Sequence, residues 1–159
     1  MTPIDADTFR AALGRFASGV TVVTTRDAEG RDHGMTVSAF CSASLEPPLV
    51  LACIGHDASM HDVVVRADRF GVSVLDAGQE ALARRFADQR SDRFDGVGYS
   101  RGTLDVALLD DALAHLECVI VDRRDAGDHT IVVGRVESAV SHQGRPLVYY
   151  RGGYTQLER

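Results

Sequence analysis

The stretch from Gly34 to Ile54 decides the fold and reads Gly-Met-Thr-Val-Ser-Ala-Phe-Cys-Ser-Ala-Ser-Leu-Glu-Pro-Pro-Leu-Val-Leu-Ala-Cys-Ile. It contains two β-rich runs, Met35–Phe40 and Leu49–Ile54, joined by a Ser-rich segment that closes with two prolines. Small and hydroxyl-bearing side chains crowd this region, so the polar edge and phosphate of a flat, anionic cofactor can lie against exposed backbone N–H groups. The pattern alone leaves a second interpretation open, a β-sandwich strand pair with a polar connection.

The composition is that of an ordinary globular protein. The chain has 159 residues, of which 45% are hydrophobic and 25% charged, and this predicts a single domain over residues 1–159. A net charge of −6 argues against a nucleic-acid partner, because there is no basic excess to replace counterions. The apolar runs are too short to cross a bilayer and the N-terminus lacks a signal-peptide pattern. We therefore expect a cytoplasmic protein with no membrane partner.

Several common catalytic devices are missing from the sequence. All 17 basic residues are arginine, so a Schiff-base lysine and the lysine of a P-loop are excluded. The three cysteines, Cys41, Cys53 and Cys118, form no C-x-x-C pair and have no neighbour that would stabilise a thiolate. We expect all three to be buried free thiols.

His56 and His61, each followed by an aspartate, raise the alternative of a metal site. His56 falls in a predicted loop and His61 on a predicted helix, and no other ligand converges on them in the sequence. Solvated turn residues are the favoured interpretation, and no metal is expected.

Hydrophobic periodicity predicts a mostly β domain with three short helices, either a barrel or a sandwich. The predicted helices cover Asp5–Ser18, Met60–Ala67 (capped by Ser59) and Gln79–Ala87. The predicted strands cover Val20–Thr25, Gly34–Phe40, a fully buried Leu49–Ile54, Phe70–Leu75, Leu116–Arg123, Thr130–Ser141 and Leu147–Tyr150. The charged segment Asp88–Gly102 shows no periodicity and is predicted to be a surface loop.

The end of the chain carries two further candidate elements. His129 follows Gly127-Asp128 directly before a predicted strand, where a neutral imidazole can hydrogen-bond a ligand at the mouth of the barrel. The alternative is a histidine bonded to its own turn. The segment Arg151–Tyr154 supplies a cation, glycine backbone and an aromatic ring, or is only a C-terminal turn.

Taken together and in order, these segments resemble the flavin reductase-like, FMN-binding split-barrel family over nearly the whole chain. The similar branch is that of the short NAD(P)H:flavin reductases of two-component monooxygenases. The resemblance rests on the segments Phe16–Thr24, Gly34–Phe40, Ser42–Leu49, Gly127–His129, Gly134–Val136 and Pro146–Tyr154.

The resemblance implies a mostly β, Greek-key split barrel with a few short helices, assembled as a homodimer. It further implies that NADH or NADPH reduces FMN or FAD by direct hydride transfer from nicotinamide C4 to flavin N5. Free reduced flavin would then reach a partner monooxygenase. Because the flavin itself accepts the electrons, no catalytic side chain is expected.

The resemblance also implies the residues that bind each ligand. The isoalloxazine edge would be lined by Thr36, Val37, Ser38 and Ala39. Close to the ribityl chain and phosphate would lie Ser42, Ala43 and Ser44. The flavin pocket would be completed by Cys53, Ile54 and Ser59, with Arg93 and Phe94 near the phosphate end. The nicotinamide nucleotide would be contacted by His129 and Tyr154.

Two other functions stay open at this point. A non-enzymatic flavin- or haem-binding split barrel would share the fold but would not need the pair His129 and Tyr154. A structural barrel that is independent of flavin would bind neither ligand.

Overall fold

The computed structural model describes residues 1–158, which form three α-helices and twelve β-strands. The helices are α1 (Ala6–Leu13), α2 (His61–Val64) and α3 (Glu80–Ala87). The strands are β1 (Ser18–Gly19), β2 (Thr21–Arg26), β3 (Asp32–Val37), β4 (Phe40–Leu45), β5 (Pro48–Gly55), β6 (Arg69–Val74), β7 (Tyr99–Arg101), β8 (Ala107–Leu109), β9 (Ala114–Ala126), β10 (His129–Ser141), β11 (Leu147–Tyr150) and β12 (Gly153–Gln156).

Seven strands form the main sheet in the order β3-β2-β6-β9-β10-β5-β4, and every neighbouring pair is antiparallel. The order shows that β3 and β4, which are consecutive along the chain, lie at opposite ends of the hydrogen-bonded sheet. Only Ser38 and Ala39 separate them, and so short a link spans roughly 10 Å at most. The sheet must therefore curl until its two ends meet, which confirms the predicted split barrel.

Two backbone hydrogen bonds fix the short link between β3 and β4, and the second of them extends the β4–β5 pairing. The N–H of Phe40 donates to the carbonyl of Ser38 at 2.9 Å, and the N–H of Cys53 donates to the carbonyl of Ala39 at 3.0 Å. This junction leaves Ser38 and Ala39 on the outside of the barrel, with backbone that is not covered by a neighbouring strand.

The interior of the curled sheet is filled by alternate side chains of the strands. Val37 of β3 belongs to the same buried cluster as Ile54 of β5 and Val132 of β10, although β3 is at one end of the sheet order and β10 and β5 are neighbours near the other. Packing is tight: a Cβ on Gly134 would stand 2.5 Å from the ring of Phe70, so this position requires glycine.

A second layer covers part of the outer face. Phe86 of α3 packs with Val22, Leu75 and Leu147 in a separate buried cluster. The small sheet β1-β11-β12 belongs to the same layer. No helix in residues 1–158 is long and apolar enough to span a membrane.

The strands at the predicted hairpins are confirmed, but several boundaries differ from the prediction. Helix α1 ends at Leu13 and not at Ser18. Gly14 is its C-cap, and the N–H groups of Arg15 and Phe16 donate to carbonyls three residues back, so the α-helical pattern stops there. The Ser-rich connection is itself strand β4, and it was missed because serine has low β propensity.

Three further predictions are corrected by the structure. Strand β5 is buried on only one face, since Leu49, Leu51 and Cys53 face outward between core residues. Helix α2 is a single turn whose N-cap is Met60, so Ser59 does not cap it. The segment 88–102 is not wholly loop, because β7 lies at its end and pairs with β8.

Candidate active site

A cleft of about 650 Å³ lies on the outer face of the barrel, where the two ends of the sheet meet. Its floor comes from the β3–β4 junction and from the outward side chains of β4 and β5, and its walls come from α1 and the β11–β12 turn. The lining residues are Phe9, Arg10, Leu13, Gly14, Phe16, Ser18, Ser38, Ala39, Phe40, Cys41, Leu51, Cys53, Tyr149 and Gly152. We call this the junction cleft.

Small side chains form the floor of the junction cleft. Ser38, Ala39, Cys41 and Cys53 leave the backbone approachable, and a flat ring system can rest against it. The volume is within the range of ordinary cofactor sites, roughly 300–1,000 Å³. Among the described residues that line the cleft, Arg10 alone carries charge at neutral pH, so the site is mostly apolar with backbone polar groups.

Helix α1 supplies an apolar wall but is weakly attached. It buries none of its residues, and its Phe9 and Leu13 are 54% and 52% exposed, while Phe16, just beyond its end, is 80% exposed. A backbone hydrogen bond of 3.0 Å from the N–H of Arg151 to the carbonyl of Gly14 ties the end of the helix to the β11–β12 turn. An amphipathic helix that covers no core of its own chain is available to cover a ligand or a second copy.

The outer face of β3 connects the junction cleft to two neighbouring openings. Ser38 lines both the cleft and an opening of about 180 Å³, which is also lined by Thr36, Tyr149 and Tyr154. Gly34, two residues before Thr36 on the same face, lines a third opening of about 460 Å³. The hydroxyl of Thr36 donates to the Ala83 carbonyl at 2.6 Å, so α3 forms the roof of this face.

The structure brings Ser59, Arg93 and Phe94 together around the third opening, beside Gly34. The Arg93 guanidinium donates to the carbonyls of Gly34 (2.7 Å) and Asp88 (2.8 Å). Burial lowers the pKa of Arg93, although a guanidinium stays protonated at neutral pH.

The ring of Phe94 packs edge-on against the rings of Phe86 and Tyr99, so one of its roles is to hold the loop against α3.

Several predicted binding residues are placed away from these openings. Val37 and Ile54 are 4% and 0% exposed and point into the core, so only their backbone atoms can face a ligand. The outer segment Ser42–Ser44 lies on edge strand β4, where a register shift between Ser42 and Ser44 marks a bulge. It lines none of the three openings within this chain.

His129 and Tyr154 do not meet in this chain. His129 starts β10 opposite Gly55, is exposed, and its Nδ1 lies 2.7 Å from a carboxylate oxygen of Asp128. This hydrogen bond lowers the pKa of Asp128. Tyr154 lies on β12 beside Tyr149, and its burial raises the pKa of its hydroxyl.

The cysteine prediction was right only for Cys118, whose thiol is buried and has a pKa raised by burial to about 12. Cys41 is exposed and Cys53 is half-buried, and both line the junction cleft. Burial and the neighbouring Cys41 raise the pKa of Cys53. The thiol of Cys53 is therefore protonated at neutral pH, and both side chains are small lining groups.

The structure also bears on the metal alternative. The rings of His56 and His61 lie 5.0 Å apart, edge to face, and Nε2 of His61 lies 2.8 Å from the Thr130 hydroxyl. Within residues 1–158, no group of three or more His, Cys, Asp or Glu side chains is arranged to hold a metal ion.

Sequence reasoning missed the α1 wall and Tyr149 as parts of the site. The signal for α1 was present, because Phe9, Leu13 and Phe16 follow helical periodicity in a segment with no obvious core to cover. Tyr149 lies within a predicted strand, and no pattern distinguishes a strand residue that lines a cleft from one that packs in the core.

A curled antiparallel sheet with a shallow cleft at its split places the protein in the class of split β-barrels. The profile of the "Flavin reductase like domain" matches residues 13–158. The chain therefore belongs to the flavin reductase-like domain family, and the resemblance seen in the sequence is confirmed.

Individual relatives agree with this assignment. The chain is 47% identical over 153 residues to an NADH-dependent flavin reductase of Rhodococcus sp. The match covers 94% of this chain and 85% of that protein. It is 38% identical over 156 residues to HsaB, the reductase subunit of a flavin-dependent monooxygenase of Rhodococcus jostii (strain RHA1). That match covers 98% of this chain and 80% of HsaB.

Among solved structures, Streptomyces globisporus C-1027 NADH:FAD oxidoreductase SgcE6 in complex with NAD and FAD fragments superposes with a TM-score of 0.91. The two are 39% identical, and the match covers 99% of this chain and 98% of that chain.

Proposed function

We propose that this chain catalyses hydride transfer from NADH to a flavin that lies in the junction cleft. The observation that carries the proposal is the cleft itself: a flat floor of small residues and backbone, an apolar wall from α1, and a position at the split of a flavin reductase-like barrel. The names of the relatives support NADH as the donor.

The residues of the cleft act by positioning and by excluding water. A bound flavin would supply the hydride-accepting N5, and the reaction then needs no general base. The aromatic and aliphatic side chains of α1 would cover the exposed ring edge and lower the local dielectric. The Cys53 thiol, whose pKa is raised by burial, would add no competing charge.

The phosphate end of the flavin fits the third opening. Ser59 and Arg93 offer a hydroxyl and a guanidinium there, and the outer face of β3 leads from this opening to the junction cleft. Arginine suits a phosphate because its planar N–H groups match the phosphate oxygens. This arrangement supports FMN and FAD equally well at the proximal phosphate.

A homodimer would complete the site. The apolar face of α1, which is a wall of the cleft, and the edge strand β4, which contributes to its floor and ends at Leu45 (91% exposed), are both uncovered in one chain. A two-fold pairing would cover both at once, and would bring surfaces such as Ser42–Ser44 of one copy toward a cleft.

Reduced flavin would then pass to a partner oxygenase, as the name of the HsaB relative suggests. The direct experiment is to follow NADH oxidation by the purified protein with FMN, FAD or no flavin. Flavin-dependent oxidation supports the proposal, and binding of flavin without NADH oxidation would favour the non-enzymatic alternative.

A further inference from the structure

The segment around Arg93 lies in no helix or strand. It covers residues 89–97, between the end of α3 and the start of β7, and we call it the Arg93 loop. A backbone hydrogen bond of 3.1 Å from the N–H of Asp95 to the carbonyl of Asp92 closes a turn inside it. A turn of this kind shapes the loop locally, but the position of the whole loop relative to the barrel depends on side-chain contacts.

One side chain of α3 binds three carbonyls of the Arg93 loop. The Arg85 guanidinium donates through Nε to the carbonyl of Arg93 at 2.6 Å, and through Nη2 to those of Asp92 and Asp95 at 2.8 and 2.5 Å. Hydrogen bonds from a charged donor are roughly twice as strong as neutral ones, and the planar guanidinium fixes their directions. Arg85 therefore supplies the loop with donors that a neighbouring strand would otherwise supply.

The backbone of Arg85 is itself held in place. Ala83 and Phe86, on the inner face of the same helix, are fully buried. The Ala83 carbonyl also accepts the hydrogen bond from the Thr36 hydroxyl at 2.6 Å, which ties α3 to β3. Arg85 thus projects from a rigid part of the molecule, and its guanidinium transfers that rigidity to the Arg93 loop.

Arg84, the preceding residue, has different partners. Its guanidinium pairs with the Glu80 carboxylate at 3.1 Å and lies 5.0 Å from the centre of the Tyr154 ring, and its side chain is 63% exposed. The two neighbouring arginines of α3 therefore point to different parts of the molecule, and it is Arg85 that contacts the Arg93 loop.

Arg93 in turn reaches from the loop to β3. A guanidinium has five N–H donors. In Arg93, Nε and Nη2 donate to the Asp88 carbonyl at the end of α3, and Nη1 donates to the Gly34 carbonyl at 2.7 Å. Glycine permits this close approach, since a Cβ on Gly34 would stand 3.1 Å from the ring of Phe94. Two N–H groups are left for a ligand, and the carbonyls on either side fix the direction in which they point.

We propose that Arg85 is a positioning residue of the flavin site: by holding the Arg93 loop on α3, it orients the remaining N–H groups of Arg93 toward the flavin phosphate. The inference rests on the proposed function, because it takes the phosphate to lie in the third opening beside Arg93. Arg85 is not among the described residues that line that opening, so it acts through the loop. A donor already in place when the flavin arrives loses less conformational entropy on binding, and the phosphate is bound more tightly.

The first experiment measures the dissociation constants of FMN and riboflavin by fluorescence titration, for the wild type, Arg85→Ala, Arg93→Ala and the double variant. Arg85→Ala should weaken FMN binding about three- to tenfold and leave riboflavin binding within about twofold of the wild type. The double variant should bind FMN as Arg93→Ala alone does, because without Arg93 no group is left to position. Arg124→Ala, at an exposed arginine that pairs with Asp122, is the matched control and should bind both flavins as the wild type does.

The second experiment separates positioning from charge and from folding. Arg85→Lys keeps the charge and the aliphatic stem but lacks the planar fork, so it should lose FMN affinity as Arg85→Ala does. Hydrogen exchange of the Asp95 amide should be faster in both variants, because the loop is released. Exchange of the Val72 amide, on the central strand β6, should stay slow and show that the fold is kept. If Arg85→Ala does not fold, Arg85→Lys decides.

Four results overturn the inference: wild-type FMN binding in Arg85→Ala or Arg85→Lys, equal losses of FMN and riboflavin affinity, additive losses in the double variant, or an Asp95 amide that exchanges at the wild-type rate. None of these measurements needs NADH. A wild type that binds FMN more tightly than riboflavin but does not oxidise NADH defeats the proposed function, while the role of Arg85 is still decided by binding and exchange.

Discussion

The backbone N–H of Cys53 donates to the carbonyl of Ala39 at 3.0 Å, and this hydrogen bond extends the β4–β5 pairing into the two-residue link that leads from β3 at the other end of the main sheet. It places the Cys53 side chain at the floor of the junction cleft, beside Cys41 of the neighbouring strand. The split of the barrel and the candidate active site are thus the same place in the molecule. Alkylation of the two thiols there can be used to detect a bound flavin.

The cysteines should be alkylated in the order Cys41, Cys53, Cys118 when iodoacetamide is added at a mildly alkaline pH. A raised pKa means less thiolate at a given pH, so burial slows the alkylation of Cys53. It slows the alkylation of Cys118 most, because the pKa of that thiol is about 12. Saturating flavin should protect Cys41 and Cys53, as followed by peptide mass spectrometry. If saturating flavin protects neither thiol, the flavin does not bind in the junction cleft.

Removing apolar side chains from the end of α1 and from Phe16 just beyond it should weaken flavin binding without destabilising the fold. Leu13→Ala and Phe16→Ala take away exposed groups, so the free energy of unfolding of the monomeric domain should change by less than about 0.5 kcal/mol. The KM for flavin should rise severalfold because the wall of the cleft is lost.

The matched control for α1 is Val121→Ala, an exposed apolar residue (45%) that does not line the cleft. Light scattering on the same variants shows whether the lost side chains also weaken the proposed dimer. An unchanged KM for flavin in both Leu13→Ala and Phe16→Ala would show that α1 and the residues after it are not a wall of the site.

Arg93→Ala should weaken binding of FMN roughly tenfold or more, because a charge-assisted hydrogen bond to phosphate is lost. Riboflavin lacks the phosphate and should bind the variant about as well as it binds the wild type. Arg93→Lys, which keeps the charge, is the control. If Arg93→Ala loses the same affinity for FMN as for riboflavin, Arg93 acts through its hydrogen bond to the Gly34 carbonyl and holds the loop in place.

Glu117→Ala should destabilise the fold by about 2–4 kcal/mol in urea unfolding, since it removes the carboxylate that accepts hydrogen bonds from two backbone N–H groups. The carboxylate of Glu117 is 3% exposed and accepts from the N–H groups of Thr103 (3.1 Å) and Leu104 (2.7 Å). Glu137→Ala, at an exposed ion pair with Arg135, should cost less than about 1 kcal/mol. A small loss in Glu117→Ala would show that this loop is held by other contacts.

Patterns within single segments were enough to predict most strands. The hairpin of β9 and β10 was expected from β-branched runs on either side of Gly127, and the glycine does adopt a positive φ of 63°. Strand β4 was missed because its pairing with β5, and not its own propensity, makes it a strand.

The site was harder to predict because it depends on long-range closure. Strand β5 is buried on one face only, because the cleft lies outside Leu51 and Cys53. The run of apolar residues in β5 would look the same in the sequence if its outer face packed against protein instead of a ligand. Likewise, nothing near Arg84 in the sequence shows that Tyr154 lies against it. The family resemblance supplied residues by motif, but not the side of the strand on which each would lie.

The central claim, hydride transfer from NADH to flavin in this fold, is tested most directly by anaerobic mixing of the purified protein with NADH and one flavin at a time. We predict that NADH and oxidised flavin, each followed by its absorbance, disappear together in equal molar amounts. No NADH should be lost when flavin is omitted. Loss of NADH without flavin, or flavin that stays oxidised while bound beside NADH, would contradict it.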